Sequence, residues 1–255
     1  MANSLEQLFV GQGKVYLAPR TSAGQTGGFV PVGDADSLAV NITQTFVDHM
    51  ESMSGNRNTV IHAPIGTVWK MQLNIQNWSA DNIAKAFYGD STNSIAGGTV
   101  TTEAIVAYNG AMTPLANPGV SAVTITLAAA PHTALVADTD YTLDAVNGNI
   151  TILAASTLVP AGSGVALNAA YTYAAYTGKV EAATHAIREY VIRFEGLNVA
   201  DSGNPVLVTL HRCVLDMSTT LPLLSTQVAT LTMSGMLVKD ETQLTGSQFM
   251  TIVKK

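Results

Sequence analysis

The sequence predicts an all-β protein of antiparallel strands, with one short helix, one long loop and a smaller β domain inserted into the first. Three observations predict this architecture. Hydrophobic residues alternate with polar ones in five separate runs. Glycines and prolines punctuate those runs, as turns between short strands require. One long segment also has a charge composition of its own. We therefore expect an antiparallel sandwich or barrel, plus a small inserted β-sandwich.

Six strands are predicted in the larger domain. Trp69, Met71, Leu73 and Ile75 alternate with polar residues, as a strand with one buried and one wet face requires. A short opening strand covers residues 14–18. The other runs of this period are Leu38 to Ile42, Tyr190 to Phe194, Val206 to Leu210 and Ala229 to Met233.

One helix is predicted after residue 79. Ser79 is placed to cap its first amides, and Gly89 to supply a left-handed exit. Trp78 and Ile83 have the spacing of a hydrophobic staple. Ile83 and Phe87 lie on one face, so we expect them to fasten the helix onto the sheet or onto a neighbouring subunit.

The inserted domain is predicted over residues 98–178, which leaves residues 1–97 and 179–255 as a discontinuous larger domain. This 81-residue segment has no Lys or Arg and carries −4 of the net charge of −6. Short β-patterned runs predict a small sandwich of about five to seven strands. These runs are Val123 to Leu127, Tyr141 to Leu143, Ile150 to Ile152, Val165 to Leu167 and Tyr171 to Tyr173. Asn147 and Gly148 are placed for a tight type I′ turn between two of them.

The sequence has no nucleophile elbow, phosphate loop or zinc-ligand spacing, so we predict no enzymatic activity, no catalytic residue and no cofactor. The single cysteine, Cys213, is expected in the core. Asp138, Asp140 and Asp144 could supply oxygen ligands to calcium. The alternative is an exposed strand edge whose carboxylates discourage edge pairing.

Charged residues make up 12% of the chain and hydrophobic residues 47%. This charged share is about half that of a typical soluble domain. Such a surface is expected to be covered by other copies or by partners. The acidic balance argues against specific binding of nucleic acid, which needs clustered Lys and Arg. No export signal or membrane-spanning segment is predicted.

Residues 44–60 form a predicted connection longer than a hairpin needs, and long loops in compact domains tend to be functional. The mixture of Met, aromatic and charged side chains suits an adaptable contact surface, and the alternative is a mobile, solvated loop. The residues predicted to contact a neighbouring subunit or ring are Phe46, Asp48, Met50, Glu51, Met53 and Arg57.

Five segments of the framework follow one another in a recognisable order. They are the opening strand of residues 13–19 (GKVYLAP), residues 29–34 (FVPVGD), the loop of residues 49–57 (HMESMSGNR), residues 77–83 (NWSADNI) and residues 86–89 (AFYG). This order resembles that of the tail tube (major tail) proteins of long-tailed bacteriophages. Residues 140–144 (DYTLD) and 148–152 (GNITI) resemble a domain that decorates some members of that family.

The resemblance implies a structural virion protein, assembled in the bacterial host cytoplasm, that forms hexameric rings stacked into a tail tube. Its implied partners are other copies, the tape-measure protein, and the tail terminator and distal tail proteins. Genome DNA would pass through the lumen during ejection without specific binding. The inner sheets would close across subunits into a β-barrel, with the insert outside.

The resemblance also implies that residues 46–58 reach an adjacent subunit or ring. The lumen is expected to be acidic and polar, with Thr230, Thr232 and Ser234 as candidate lumen positions. The alternative function is a β-rich binding module or adhesin, in which the insert is the recognition domain.

Overall fold

The computed structural model describes residues 8–21, 24 and 26–254, which form sixteen strands and one helix. The predicted all-β class with antiparallel strands is confirmed. The elements in chain order are β1 (Gly11–Arg20), β2 (Val30–Pro31), β3 (Ala35–Met50), β4 (Thr59–Ile75), α1 (Ala80–Ala86), β5 (Asp90–Thr92), β6 (Gly98–Ala107), β7 (Met112–Pro114), β8 (Val120–Leu127), β9 (Tyr141–Asp144), β10 (Asn149–Ile152), β11 (Val165–Tyr173), β12 (Lys179–Glu181), β13 (Glu189–Asn198), β14 (Asn204–Leu215), β15 (Leu231–Leu237) and β16 (Met250–Lys254).

The chain divides into two compact units. The framework unit comprises Met1–Ser91 and Val180–Lys255, and the insert unit comprises Thr92–Lys179. Each unit has a hydrophobic core of its own. The segment predicted as an insert, residues 98–178, lies within the second unit, whose bounds are six residues earlier and one residue later.

The framework unit is built on one eight-stranded sheet in the order β2-β1-β13-β14-β15-β4-β3, with β16 paired to β14. Strand β14 changes partner along its length. Residues 206–210 pair with β16, whereas residues 213–215 pair with β15. The sheet therefore branches at β14 into two halves. The first half contains β2, β1, β13 and β16, and the second contains β15, β4 and β3.

The inner faces of the two halves share one core. In the first half, Val15, Phe194, Val208 and Ile252 form a cross-strand row, and the next row begins with Leu17. In the second half, inward residues recur at every other position of β4 and β15, as period-2 burial requires. The largest fully buried framework side chains are Leu17, Met71, Leu73, Ile75, Ile192, Leu210, Leu215 and Leu231.

The predicted framework runs fall on strands, except that Ala229 and Thr230 precede β15, and the strands extend further than the runs. Strand β1 covers ten residues, and β3 and β4 cover 16 and 17. The alternating patterns mark only the parts of each strand that lie against the core. The predicted position of Cys213 in the core agrees with its complete burial.

Helix α1 begins as predicted at Ser79, whose hydroxyl accepts a hydrogen bond of 3.3 Å from the backbone N–H of Asn82. Ile83 and Phe87 are half-buried against the framework core, so they fasten the helix to its own sheet. The Trp78 indole donates a 2.9 Å hydrogen bond to the Ala229 carbonyl, which ties the start of the helix to the segment before β15.

The helix exit differs from the prediction. Tyr88, not Gly89, has the left-handed conformation, with φ of 51°. The Gly89 N–H donates a 2.8 Å hydrogen bond to the Ala84 carbonyl and closes a Schellman turn. Gly89 is required for a different reason, because a Cβ there would lie 2.3 Å from the Glu181 carbonyl oxygen.

The insert unit has six strands, β6 to β11, in two three-stranded sheets of order β7-β10-β9 and β6-β11-β8. Two predicted runs, Val165 to Leu167 and Tyr171 to Tyr173, lie on the single strand β11, which has a register shift between Ala169 and Tyr171. The alternation predicts neither β6 nor β7. The core of the insert unit is formed by thirteen buried residues, including Ile125, Ile150, Ile152 and Leu167.

The predicted type I′ turn at Asn147 and Gly148 is wrong. Strand β9 ends at Asp144 and β10 begins at Asn149, so four residues form the connection. The Asp144 carboxylate accepts hydrogen bonds from the backbone and side-chain amides of Asn147, at 3.2 and 2.7 Å. This side-chain turn replaces the pair of left-handed residues that a type I′ turn needs.

A buried ion cluster attaches the segment between β15 and β16 to the sheet. Arg20, at the end of β1, forms two parallel hydrogen bonds of 2.8 and 2.7 Å with Asp240. Their side chains are 6% and 0% exposed. Glu189 lies 3.6 Å from Arg20 and also accepts two hydrogen bonds from Arg212. The N–H and hydroxyl of Thr242 donate to Asp240 as well.

We expect Asp240→Asn to destabilise the framework unit by about 3 kcal/mol, because it leaves the buried Arg20 guanidinium without its main counter-charge. The measurement is urea unfolding followed by tryptophan emission, since both tryptophans, Trp69 and Trp78, belong to this unit. The control is Glu241→Gln, an exposed neighbour that pairs with Lys239 at 3.7 Å. It should change stability by less than about 0.5 kcal/mol.

The contribution of Asp240 should also depend on pH. Burial acts to raise the pKa of Asp240, but hydrogen bonds from Thr242 and Arg20 outweigh it and hold the pKa below its ordinary value. Stability from a lowered carboxyl pKa is fully present above the unfolded value and is lost as pH falls through the folded one. The difference between wild type and Asp240→Asn should therefore be constant from about pH 5 to 7 and shrink below about pH 4. A difference that grows on acidification would contradict this assignment.

Candidate functional site

The most distinctive surface of the framework unit is a two-stranded hairpin that continues past the sheet. Strand β15 pairs with β4 only at residues 69–75, whereas β3 pairs with β4 as far as Met50 and Thr59. We call residues 43–68 the arm. Each of its strands pairs only with the other, over a length of about 25–30 Å.

The arm corrects the prediction of a long loop over residues 44–60. Residues 44–50 belong to β3, residues 59 and 60 belong to β4, and residues 51–58 form the connection. The Glu51 N–H donates a 2.9 Å hydrogen bond to the Asn58 carbonyl and closes this turn. Within it, Arg57 has a positive φ of 48°. The alternation that marks a half-buried strand is missing because none of the described residues outside the arm covers either of its faces.

The arm exposes many large hydrophobic side chains. Met53 is 93% exposed, Val60 is 62% exposed and Ile65 is 63% exposed. An isolated hairpin is only marginally stable in water, and monomeric proteins rarely expose contiguous apolar patches of this kind. The exposed apolar residues of the arm are Phe46, Val47, Met50, Met53, Val60, Ile61, Ile65 and Val68.

Both faces of the arm carry apolar groups. The register places Phe46, Asp48 and His62 on one face and Val47 and Ile61 on the other. The Phe46 and His62 rings stack with centroids 4.3 Å apart, and His62 Nδ1 lies 2.5 Å from Asp48 Oδ1. A surface that covers only one face of the arm would leave the other in water.

The residues predicted as an interface divide between the strand and the turn. Phe46, Asp48 and Met50 are exposed on β3, and Met53 and Arg57 are exposed in the turn. Glu51 is half-buried and accepts a hydrogen bond from the Ser54 hydroxyl. The structure therefore brings all six predicted residues to the distal part of the arm.

Sequence reasoning missed the β4 side of the arm, which includes Val60, Ile61, Ile65 and Val68. Pro64 and Gly66 lie among these hydrophobic residues, and a proline and a glycine so close together are typical of a loop. The high proportion of β-branched residues in this part of the sequence could have predicted a strand. Proline is tolerated here because β4 has no second neighbour at Pro64.

The candidate lumen residues lie at or before β15. Thr230 precedes the strand and is half-buried, whereas Thr232 and Ser234 lie on the strand face that points away from the core. Thr232 donates a 2.8 Å hydrogen bond to Asn74, which donates to Ser37 at 2.8 Å. A row of hydroxyl and amide groups therefore crosses β15, β4 and β3.

This face is polar but not acidic. The register places Ala39, Asn41, Lys70, Gln72 and Met236 beside that row. Lys70 is the charged group among them, so the acidic residues expected for a lumen are not found among these positions. Hydroxyl and amide groups, and not carboxylates, give this face its character.

The acidic residues of the insert serve local structure. Asp140 is buried and accepts hydrogen bonds from the Val136 N–H at 2.9 Å and the Ser156 hydroxyl at 2.7 Å. Asp144 holds its turn, and the hydrogen bonds from Asn147 lower its pKa. Asp138 is exposed with φ of 63°. Within the described residues, no three His, Cys, Asp or Glu side chains are grouped to hold a metal ion.

The buried Cys213 is not placed to act as a nucleophile. Burial raises the pKa of the Cys213 thiol to about 12, so it stays protonated and weakly nucleophilic. In the part of the chain that the structure describes, no buried side-chain nitrogen or oxygen lacks a hydrogen-bond partner. The same part of the chain has no helix of the length and apolarity that a membrane span needs.

Comparison with known proteins places the chain in a family. No curated protein matches the sequence. The model of the family described as protein of unknown function UCP028589 matches residues 8–253, which is nearly the whole chain. The chain therefore belongs to that family.

Proposed function

We propose that this protein is a structural subunit that self-assembles into stacked hexameric rings, forming the tail tube of a bacteriophage. In this function the tube is a conduit for genome DNA during ejection, and the subunit is not an enzyme. The observation that carries the proposal is the arm, since both of its faces expose apolar side chains.

The arm supports assembly because covering it requires other molecules. Burying apolar surface stabilises an interface by roughly 25 cal/mol per Å². The arm can contribute several large side chains to such an interface, and its two faces can contact two different neighbours. A second copy is the partner available to every subunit, and repetition of one contact generates rings.

The sheet edges support the same proposal. Strand β3 is the last strand in the sheet order, so its outer edge, 16 residues long, has no strand partner among the described residues. It carries no Lys or Arg that would discourage edge pairing. A barrel closed across subunits would pair such edges.

The face that carries Thr232 and Ser234 supports the role of a conduit. Its groups are mostly neutral and already hydrogen-bonded to one another in the row from Thr232 through Asn74 to Ser37. Such a face has few positive groups that could hold phosphate, which favours passage of DNA without specific binding. The proposed lumen is thus polar, and the acidic surplus of the chain lies elsewhere.

We expect Val47→Lys to raise the protein concentration needed for assembly at least about tenfold, or 1.4 kcal/mol. A lysine at this position would place a charge in the proposed apolar interface. Sedimentation velocity and electron microscopy measure the assembly. The matched control is Val146→Lys, at an insert-unit position that is 78% exposed against 48% for Val47. Normal assembly of Val47→Lys would contradict the role of the arm.

We expect the insert unit to be dispensable for ring formation. The strands that border it, β5 and β12, pair with each other, so a short Gly/Asn turn can replace residues 93–178. This variant should keep the tryptophan-reported unfolding transition and form rings of the same inner diameter in electron micrographs. Folded protein that no longer assembles would show that the insert belongs to the ring contacts.

A further inference from the structure

An apolar groove of about 580 Å³ opens at one end of the framework core. Its volume is in the range of sites that hold a bound partner group, about 300–1,000 Å³. Its walls are formed by side chains from both halves of the branched sheet. The groove is therefore a gap between the two halves. The apolar residues that line it include Phe9, Val15, Leu38, Val40, Phe194 and Val208.

A glycine pair lies in the wall of this groove. Gly13 and Gly196 are cross-strand partners on β1 and β13, and Gly13 lines the groove. A Cβ at Gly13 would lie 2.3 Å from the Glu195 carbonyl oxygen, so the strands approach too closely for any other residue. The neighbouring row on the same strands carries Val15 and Phe194. The glycine pair thus lets β1 and β13 approach closely in the wall of the groove, and the Phe194 ring lies over Gly196.

The rim of the groove is acidic. Asp34 and Asp36 are the charged residues that line it, and both are exposed. Neither has an ion-pair partner among the described residues. A partner that fits would therefore combine apolar side chains with a positive charge.

The arm has this combination. Arg57 is its only Lys or Arg, lies exposed in the turn, and has no ion pair in the described part of the chain. Met50 and Met53 provide large apolar groups at the same end of the arm, and methionine adapts to irregular cavities. The acidic residues of the arm, Asp48 and Glu51, form hydrogen bonds with His62 and Ser54. The arm cannot fill the groove of its own chain, because it continues β3 away from Val40 and is paired with β4 throughout.

We propose that the groove receives the distal end of the arm from a second copy of this chain, with Arg57 of one copy beside Asp34 and Asp36 of the next. This inference rests on the proposed self-assembly and specifies its contact. The contact is heterologous, since the arm and the groove are different surfaces of the same chain, and repetition of it produces a ring or a filament.

The test exchanges the two charges in separate chains. Arg57→Asp replaces the one positive group of the arm by a negative one, so that it meets an acidic rim, and Asp36→Arg places a positive charge on the rim that Arg57 approaches. We expect each variant alone to need at least a tenfold higher concentration to assemble. An equimolar mixture should assemble near the wild-type concentration, with both variants in equal amounts. In alternating contacts the reversed arm charge of one variant lies beside the reversed rim charge of the other, and the remaining contacts keep Arg57 beside Asp34 and Asp36.

Two controls keep the test specific. Asp201→Arg reverses an exposed acidic residue outside the groove and should assemble like wild type. Unfolding followed by tryptophan emission should show that every variant retains the wild-type fold. Wild-type assembly by Asp36→Arg, or no assembly by the mixture, would overturn the groove contact.

The outcomes also separate this inference from the proposed function. If Val47→Lys blocks assembly while Asp36→Arg does not, the arm acts at another surface and only the groove contact is wrong. If wild type stays monomeric at every concentration in sedimentation and electron microscopy, self-assembly itself is wrong, and the groove contact is wrong with it.

Discussion

The change of partner along β14 determines the form of the framework unit. Residues 206–210 are hydrogen-bonded to β16 and residues 213–215 to β15, and the register of β13 against β14 shifts at the same level. Two half-sheets therefore diverge from one strand and share a single core. Because the halves diverge, each ends in a strand with a free edge. Strand β3 is one of these, and its extension is the arm.

The sequence predicted the parts of the fold in which local chemistry decides the structure. Alternation marked the strand segments with one buried and one wet face, such as Trp69 to Ile75. Ser79 marked the start of the helix. The helix exit was wrong because a tyrosine took the left-handed position through hydrogen bonds that depend on tertiary contacts. Strand β6 was missed because its polar and apolar residues follow no clean period outside its buried end.

The position of the candidate site in the chain could be predicted, but its secondary structure could not. Composition singled out the stretch around Met50, Met53 and Arg57 as a contact surface. The same reasoning made it a loop, because a strand exposed on both faces has no alternation to detect. The groove could not be predicted at all. Gly13 and Gly196 meet in its wall from two strands that are distant in the chain, and it lies in a gap between half-sheets.

In the proposed assembly, the apolar groups on both faces of the arm have a kinetic consequence. A pair of subunits can cover one face of an arm, but the opposite face stays in contact with water until a further molecule arrives. Small oligomers are then penalised relative to closed ones, so growth must pass through a critical nucleus. Such a system shows a lag phase and a sharp threshold in concentration. Below that threshold subunits remain dispersed, which would let an external template decide where and when polymerisation starts.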